Sequence, residues 1–129
     1  MKIGSIHHIA INTKNIVESS RFYRDILGLK QGKTVGFEEF DLTYFDLPAG
    51  GSLELFDYHG RNSERTRADD EPGLRHLAFT VEGVAQHEKA LREAGVKITL
   101  PTTELPQLGS RVLLFLDPNG VTIEFCERL

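Results

Sequence analysis

Gly73-Leu74-Arg75-His76-Leu77-Ala78-Phe79-Thr80-Val81 decides the fold, because the chain has already written it once near its start, as Ser5-Ile6-His7-His8-Ile9-Ala10-Ile11-Asn12-Thr13. His76 stands 68 residues after His8, and Ala94-Gly95 stands 67 after Leu27-Gly28. Glu124, in Ile123-Glu124-Phe125-Cys126, stands 70 after Glu54 in Leu53-Glu54-Leu55-Phe56. Three anchors with nearly one offset make an internal duplication, which has to be read before any local pattern. The doubled features are one His and one Glu per copy.

Working outward, residues 6–12 alternate as a half-buried strand does, with Ile9 and Ile11 on one face and His8, Ala10 and Asn12 on the other. His7 goes with the Ile9 face or its rim. Asn15 followed by Glu18 is an Asn form of the capping box and opens a helix that Gly28 closes in a left-handed cap. Strands are expected at about 29–37, 39–47 and 52–58, with Glu54 opposite the apolar Leu53/Leu55 face. The second copy repeats the order: a strand from Leu74 to Val81, a helix over about 84–94, and strands at about 96–101, 110–116 and 121–126. In it His76 and Glu124 again lie off the most apolar face. Asp117-Pro118-Asn119-Gly120 reads as a hairpin turn. Both faces of 112–116 are apolar, so that strand cannot be oriented from its pattern.

The expectation is therefore an α+β fold of two βαβββ modules, at about 1–58 and 73–129, in a single domain. The charged, aperiodic stretch 59–72 reads as a solvated linker. Each sheet has one helix on its outer face, so the two bare faces are expected to curve into a cup-shaped mixed sheet around a cavity. Whether the modules of one cup come from one chain or two is left open by the linker length.

Composition narrows the function. The chain has 129 residues and a net charge of −4 with no basic run, which argues against nucleic acid and membrane surfaces as partners. The single Cys126 cannot form an intrachain disulfide, and no apolar run is long enough for a signal peptide or membrane span, so a cytoplasmic location is expected. Imidazoles and carboxylates on a concave face must be paired or coordinated. Two of each, related by the repeat, suit a divalent transition metal at a water-accessible site better than an oxygen-only calcium site or a thiolate zinc site.

These motifs, with Phe22-Tyr23-Arg24-Asp25-Ile26-Leu27-Gly28-Leu29 and Asp117-Pro118-Asn119-Gly120-Val121-Thr122-Ile123-Glu124, resemble the vicinal oxygen chelate superfamily. That superfamily contains glyoxalase I, methylmalonyl-CoA epimerase, extradiol dioxygenases, fosfomycin-resistance enzymes and bleomycin-binding proteins. The resemblance spans nearly the whole chain and implies metal ligands at His8, Glu54, His76 and Glu124, and a homodimer. A fourth protein ligand looks more like the glyoxalase I (lactoylglutathione lyase-like) and epimerase branch than the three-ligand dioxygenases. The implied activity is that of a metal-dependent lyase or isomerase moving a proton next to a carbonyl through a metal-bound enediolate, with Glu124 as base and Glu54 returning the proton. Nickel, cobalt, manganese, iron and zinc are not distinguished by the ligand set.

The substrate is expected to be a small molecule with vicinal oxygens. Glyoxalase I enzymes of this length place an Arg and an Asn, both serving glutathione, where this chain has Asn12 and Tyr58, which turns the expectation away from glutathione thioesters. Coenzyme A thioesters, sugar-derived ketones and other small hydroxycarbonyl compounds stay open. Phe56, Arg111 and Cys126 are expected to join Asn12 and Tyr58 in the substrate pocket, whereas His59 and His87, without repeat counterparts, are read as surface. Alternative activities are an extradiol ring-cleaving dioxygenase, a resistance-type transferase and a metal-free small-molecule-binding protein.

Overall fold

A computed structural model describes residues 1–64 and 70–129. The chain divides into two units, Met1–Glu64 and Arg65–Leu129. In the first, β1 (His8–Thr13) leads to α1 (Ile16–Arg21), a π turn (Phe22–Ile26), and β2 (Lys30–Gly36), β3 (Asp41–Asp46) and β4 (Ser52–Asp57). In the second, β5 (Leu77–Thr80) leads to α2 (Val84–Glu93), then β6 (Ile98–Leu105), a single 3-10 turn, β7 (Ser110–Leu116) and β8 (Thr122–Arg128). The sheets have the orders β1-β4-β3-β2 and β5-β8-β7-β6, each with one parallel pair at the first position. This is the expected α+β architecture, one mixed four-stranded sheet and one main helical segment per unit.

Local chemistry explains the elements. Asn15 Oδ1 accepts the backbone N–H of Glu18 at 3.1 Å and so satisfies an orphan donor at the start of α1. The helix ends at Gly28, whose φ of 75° is open to glycine at no steric cost. α2 is capped differently: its N-cap is Gly83, which has no side chain to offer, and the Glu127 carboxylate from β8 accepts Gly83 N–H at 2.8 Å and Val84 N–H at 3.4 Å.

In each unit the core lies between helix and sheet. Leu53, Leu55, Phe45 and Tyr23 are fully buried in the first, with the Tyr23 and Phe45 rings 6.2 Å apart. Leu113, Phe115, Ile123 and Val84 are fully buried in the second, with Phe115 and Phe125 edge to face at 4.9 Å. Burial of each of these side chains contributes roughly 1.5–3 kcal/mol against leaving it in water.

Four expectations change. β5 begins at Leu77 rather than Leu74; Leu74 and Arg75 are exposed, so no burial holds them in the ladder, and His76 precedes the strand. β6 runs past Pro101 to Leu105, which an edge strand with register shifts near Leu100 and Thr103 tolerates. Part of the supposed linker is anchored to the first unit: Asn62 Nδ2 donates to Thr13 O at 3.0 Å and Arg61 Nε to Tyr58 O at 3.0 Å. Residues 65–69 of that linker lie outside the described residues. His87 is half-buried, its ring edge-on to Phe125 at 5.4 Å, so it packs rather than facing water.

Candidate metal and substrate site

Register decides which side chains share a face. Ala10 pairs with Glu54 and Tyr44 with Glu54, so Glu54 lies on the face away from α1, alongside His8, Asn12 and Phe56. In the second unit Ala78 and Leu114 pair with Glu124, so Glu124 holds the same rung, with Val112, Leu116, Thr122 and Cys126 on its face. The repeat is thus preserved at the level of individual strand partners, not of pattern alone.

Each unit brings its own His and Glu together. His8 Nε2 lies 3.8 Å from Glu54 Oε2, and His76 Nε2 lies 2.7 Å from Glu124 Oε2. Two donors each about 2.1 Å from a shared ion cannot be more than about 4.2 Å apart, so within each unit the His and the Glu are close enough to hold an ion between them. Glu54 is 8% exposed, and a carboxylate so far from water favours a positive partner.

The second pair also carries tautomer information. Arg75 Nη1 lies 3.2 Å from His76 Nδ1; a guanidinium only donates, so Nδ1 accepts and a neutral ring holds its proton on Nε2, facing Glu124. A cation taken up at Nε2 would require the ring proton to move to Nδ1, which ends the contact with Arg75. In the first unit His7 is exposed, and its Nδ1 is 2.8 Å from His8 Nδ1.

The expected pocket residues divide. Asn12 and Phe56 are register partners on the Glu54 face. Tyr58 stacks on Phe56 with centroids 6.2 Å apart, and Phe40 packs against both, at 5.0 Å from Phe56 and 5.7 Å from Tyr58. Cys126 is a half-buried free thiol on the Glu124 face. Arg111 does not belong with them. It pairs in register with Glu127, on the Phe125 face that α2 covers, and its guanidinium is occupied by Glu104 at 2.6 Å and Glu127 at 3.1 Å. Those two carboxylates, Glu104 first, hold its pKa above the ordinary value. Glu127 is in turn held below the usual carboxylate range, mainly by the Gly83 N–H.

The sequence reading missed one cluster. His59, taken as plain surface, stands between Asp57 and Asp41, with Nδ1 3.3 Å from Asp57 Oδ2 and Nε2 3.6 Å from Asp41 Oδ2. Asp41 and Asp57 are 16 residues apart and only strand pairing reveals them as neighbours. Among the described residues no helix is long and apolar enough to cross a membrane.

Residues 5–125 match the family model described as the Glyoxalase/Bleomycin resistance protein/Dioxygenase superfamily. The uncharacterized protein YwkD of Bacillus subtilis (strain 168) is 35% identical over 130 residues, which cover 99% of this chain and all of that one. The mitochondrial methylmalonyl-CoA epimerase of Dictyostelium discoideum is 29% identical over 98% of this chain and 80% of its own. Among solved structures, the glyoxalase family protein from Enterococcus faecalis superposes with a TM-score of 0.82 at 30% identity, over 95% of this chain and 97% of that one.

Proposed function

Because the chain belongs to the Glyoxalase/Bleomycin resistance protein/Dioxygenase superfamily, we propose that it is a metal-dependent lyase or isomerase. In this reading it moves a proton next to the carbonyl of a small molecule with vicinal oxygens, as a cytoplasmic homodimer. The two half-sites, His8 with Glu54 and His76 with Glu124, close on one divalent cation. The observation that carries the reading is the repeated pair itself: the same residue types, with the two glutamates on matching rungs of their sheets and a His 3.8 Å and 2.7 Å from them. A binder without metal would have no physical reason to hold two imidazole–carboxylate pairs in matching places.

A cation bound there supplies Lewis acidity to the substrate's oxygens and so lowers the cost of removing the neighbouring proton. Glu124 takes that proton on a carboxylate oxygen, and Glu54 gives one back from the other side. His8 and His76 would hold that cation through their ring nitrogens. Asn12 and Tyr58 offer neither a guanidinium nor an ammonium for the carboxylates of glutathione, and Phe56 with Tyr58 gives that end an apolar wall. The similarity to a methylmalonyl-CoA epimerase agrees with an acyl thioester as substrate class. The test is Glu124→Gln, read by deuterium exchange from heavy water into branched acyl-CoA thioesters and by elemental analysis. Turnover is expected to fall about 10²–10⁴-fold with most of the metal retained; exchange at the wild-type rate removes Glu124 from the role of base.

A further inference from the structure

We infer that Asp41, Asp57 and His59 form a second divalent transition-metal site, on the helix-covered face of the first sheet and separate from His8 and Glu54. Asp41 and Asp57 are direct partners on adjacent antiparallel strands, an arrangement in which like charges repel. The second unit shows what such a rung requires. Residues 111 and 127 stand 70 positions after 41 and 57, the same offset that separates the two glutamates, and they too are direct partners. There the rung carries Arg111 and Glu127, joined at 3.1 Å. Where one unit has a guanidinium beside a carboxylate, the other has two carboxylates, and a positive charge is missing.

The side chain between the two carboxylates is His59, with Nδ1 3.3 Å from Asp57 Oδ2 and Nε2 3.6 Å from Asp41 Oδ2, so each ring nitrogen faces a different carboxylate. The Asp57 side chain is only 16% exposed, so water does little to relieve the repulsion. Its other oxygen already accepts the His59 backbone N–H at 2.8 Å. Among the described residues neither Arg21 nor Arg24 forms an ion pair with Asp41 or Asp57, and Arg24 is engaged by Asp25 and Gln31.

A metal ion resolves the mismatch. One donor atom from each of the three residues lies within 4.8 Å of the others, and the Asp41 and His59 side chains are half-exposed. One imidazole and two carboxylates suit zinc, cobalt, nickel or manganese better than calcium. Asp41 and Asp57 also border a groove of about 440 Å³ against α1, shared with Ser20, Arg21, Thr34 and Thr43. That groove gives the ion a path in and leaves room for water or an anionic ligand to complete its shell.

The experiment is a Co²⁺ titration of the full chain without an affinity tag, carrying His8→Ala and His76→Ala to silence the proposed catalytic site. Binding is followed by equilibrium dialysis and by the visible absorption of the ion. The account predicts that this chain still binds Co²⁺ with a nitrogen-and-oxygen spectrum. Adding the near-isosteric Asp57→Asn, or separately the more exposed Asp41→Asn, weakens that binding at least about 100-fold, and His59→Gln shifts the spectrum. If the His8/His76 variant binds no Co²⁺, or either Asn variant binds it with unchanged affinity, the site does not exist and a protonated His59 alone bridges the rung. Failure of the proposed catalytic function would leave this result untouched, because both of its imidazole ligands are already removed and the Asn variants lie outside it.

Discussion

The two units share strand order and the register of their central rung, Ala10 with Glu54 and Ala78 with Glu124, yet three residues along β4 and β8 they part company. The first unit there sets Asp41 against Asp57, the second Arg111 against Glu127. The rung that holds the glutamate has stayed alike while a neighbouring one on the opposite face has changed its charge. A duplicated backbone therefore fixes position without fixing chemistry. The rungs that agree fit the one task proposed for both units, and those that differ fit the task proposed for a single unit. The helices differ in the same way, with α1 capped by its own Asn15 and α2 by a carboxylate that arrives from β8.

The comparison can be pressed hardest in the cores. Leu53 in β4 and Ile123 in β8 are both fully buried on the helix side of equivalent strands. Leu53→Ala and Ile123→Ala are each expected to cost about 2–5 kcal/mol in urea unfolding. A loss well under 1 kcal/mol in one of them would show that the two sheets are not equivalent in packing. A smaller effect is expected at the first helix cap, where Asn15→Ala should cost about 1 kcal/mol by removing the acceptor for Glu18 N–H. An unchanged melting temperature would mean that α1 does not depend on it.

A further effect is a pH dependence confined to the second unit. Glu88 in α2 is lowered from its ordinary 4.5 to about 2, first by the Thr102 side chain, next by the Thr102 backbone N–H, which donates to it at 2.7 Å, and then by Arg92. A carboxyl depressed in the folded state stabilises it above the unfolded pKa, and that contribution is lost as pH falls from about 4.5 towards 2. Glu88→Gln should therefore lower the melting temperature at neutral pH and converge with the wild type in acid. A gap that stays constant down to pH 2 would assign the effect to packing instead.

Much of this was legible in the sequence because side-chain alternation survives in a strand whatever it pairs with. His8, Glu54 and Glu124 could be placed on their faces from two-residue periodicity, and Asn15 and Gly28 announced the ends of the first helix by local chemistry alone. What stayed hidden depended on partners far along the chain. Arg111 could not be oriented because its strand is apolar on both sides, and only the Glu127 register shows that it faces α2. Glu127 itself gave no sign of capping a helix that starts 43 residues earlier at Val84. His59 had no repeat counterpart, and its meaning rests on a cross-strand pair that no single strand displays.

The central claim is that the two His–Glu pairs serve one cation. The direct measurement is the affinity for a single divalent ion such as Ni²⁺ in full-length chains carrying His8→Ala or His76→Ala, each with Asp57→Asn present to silence the second site. If the pairs share the ion, either substitution alone removes it and the two losses are alike. If one variant still binds it as tightly as the His8/His76-intact chain, the pairs act separately and the shared centre is wrong.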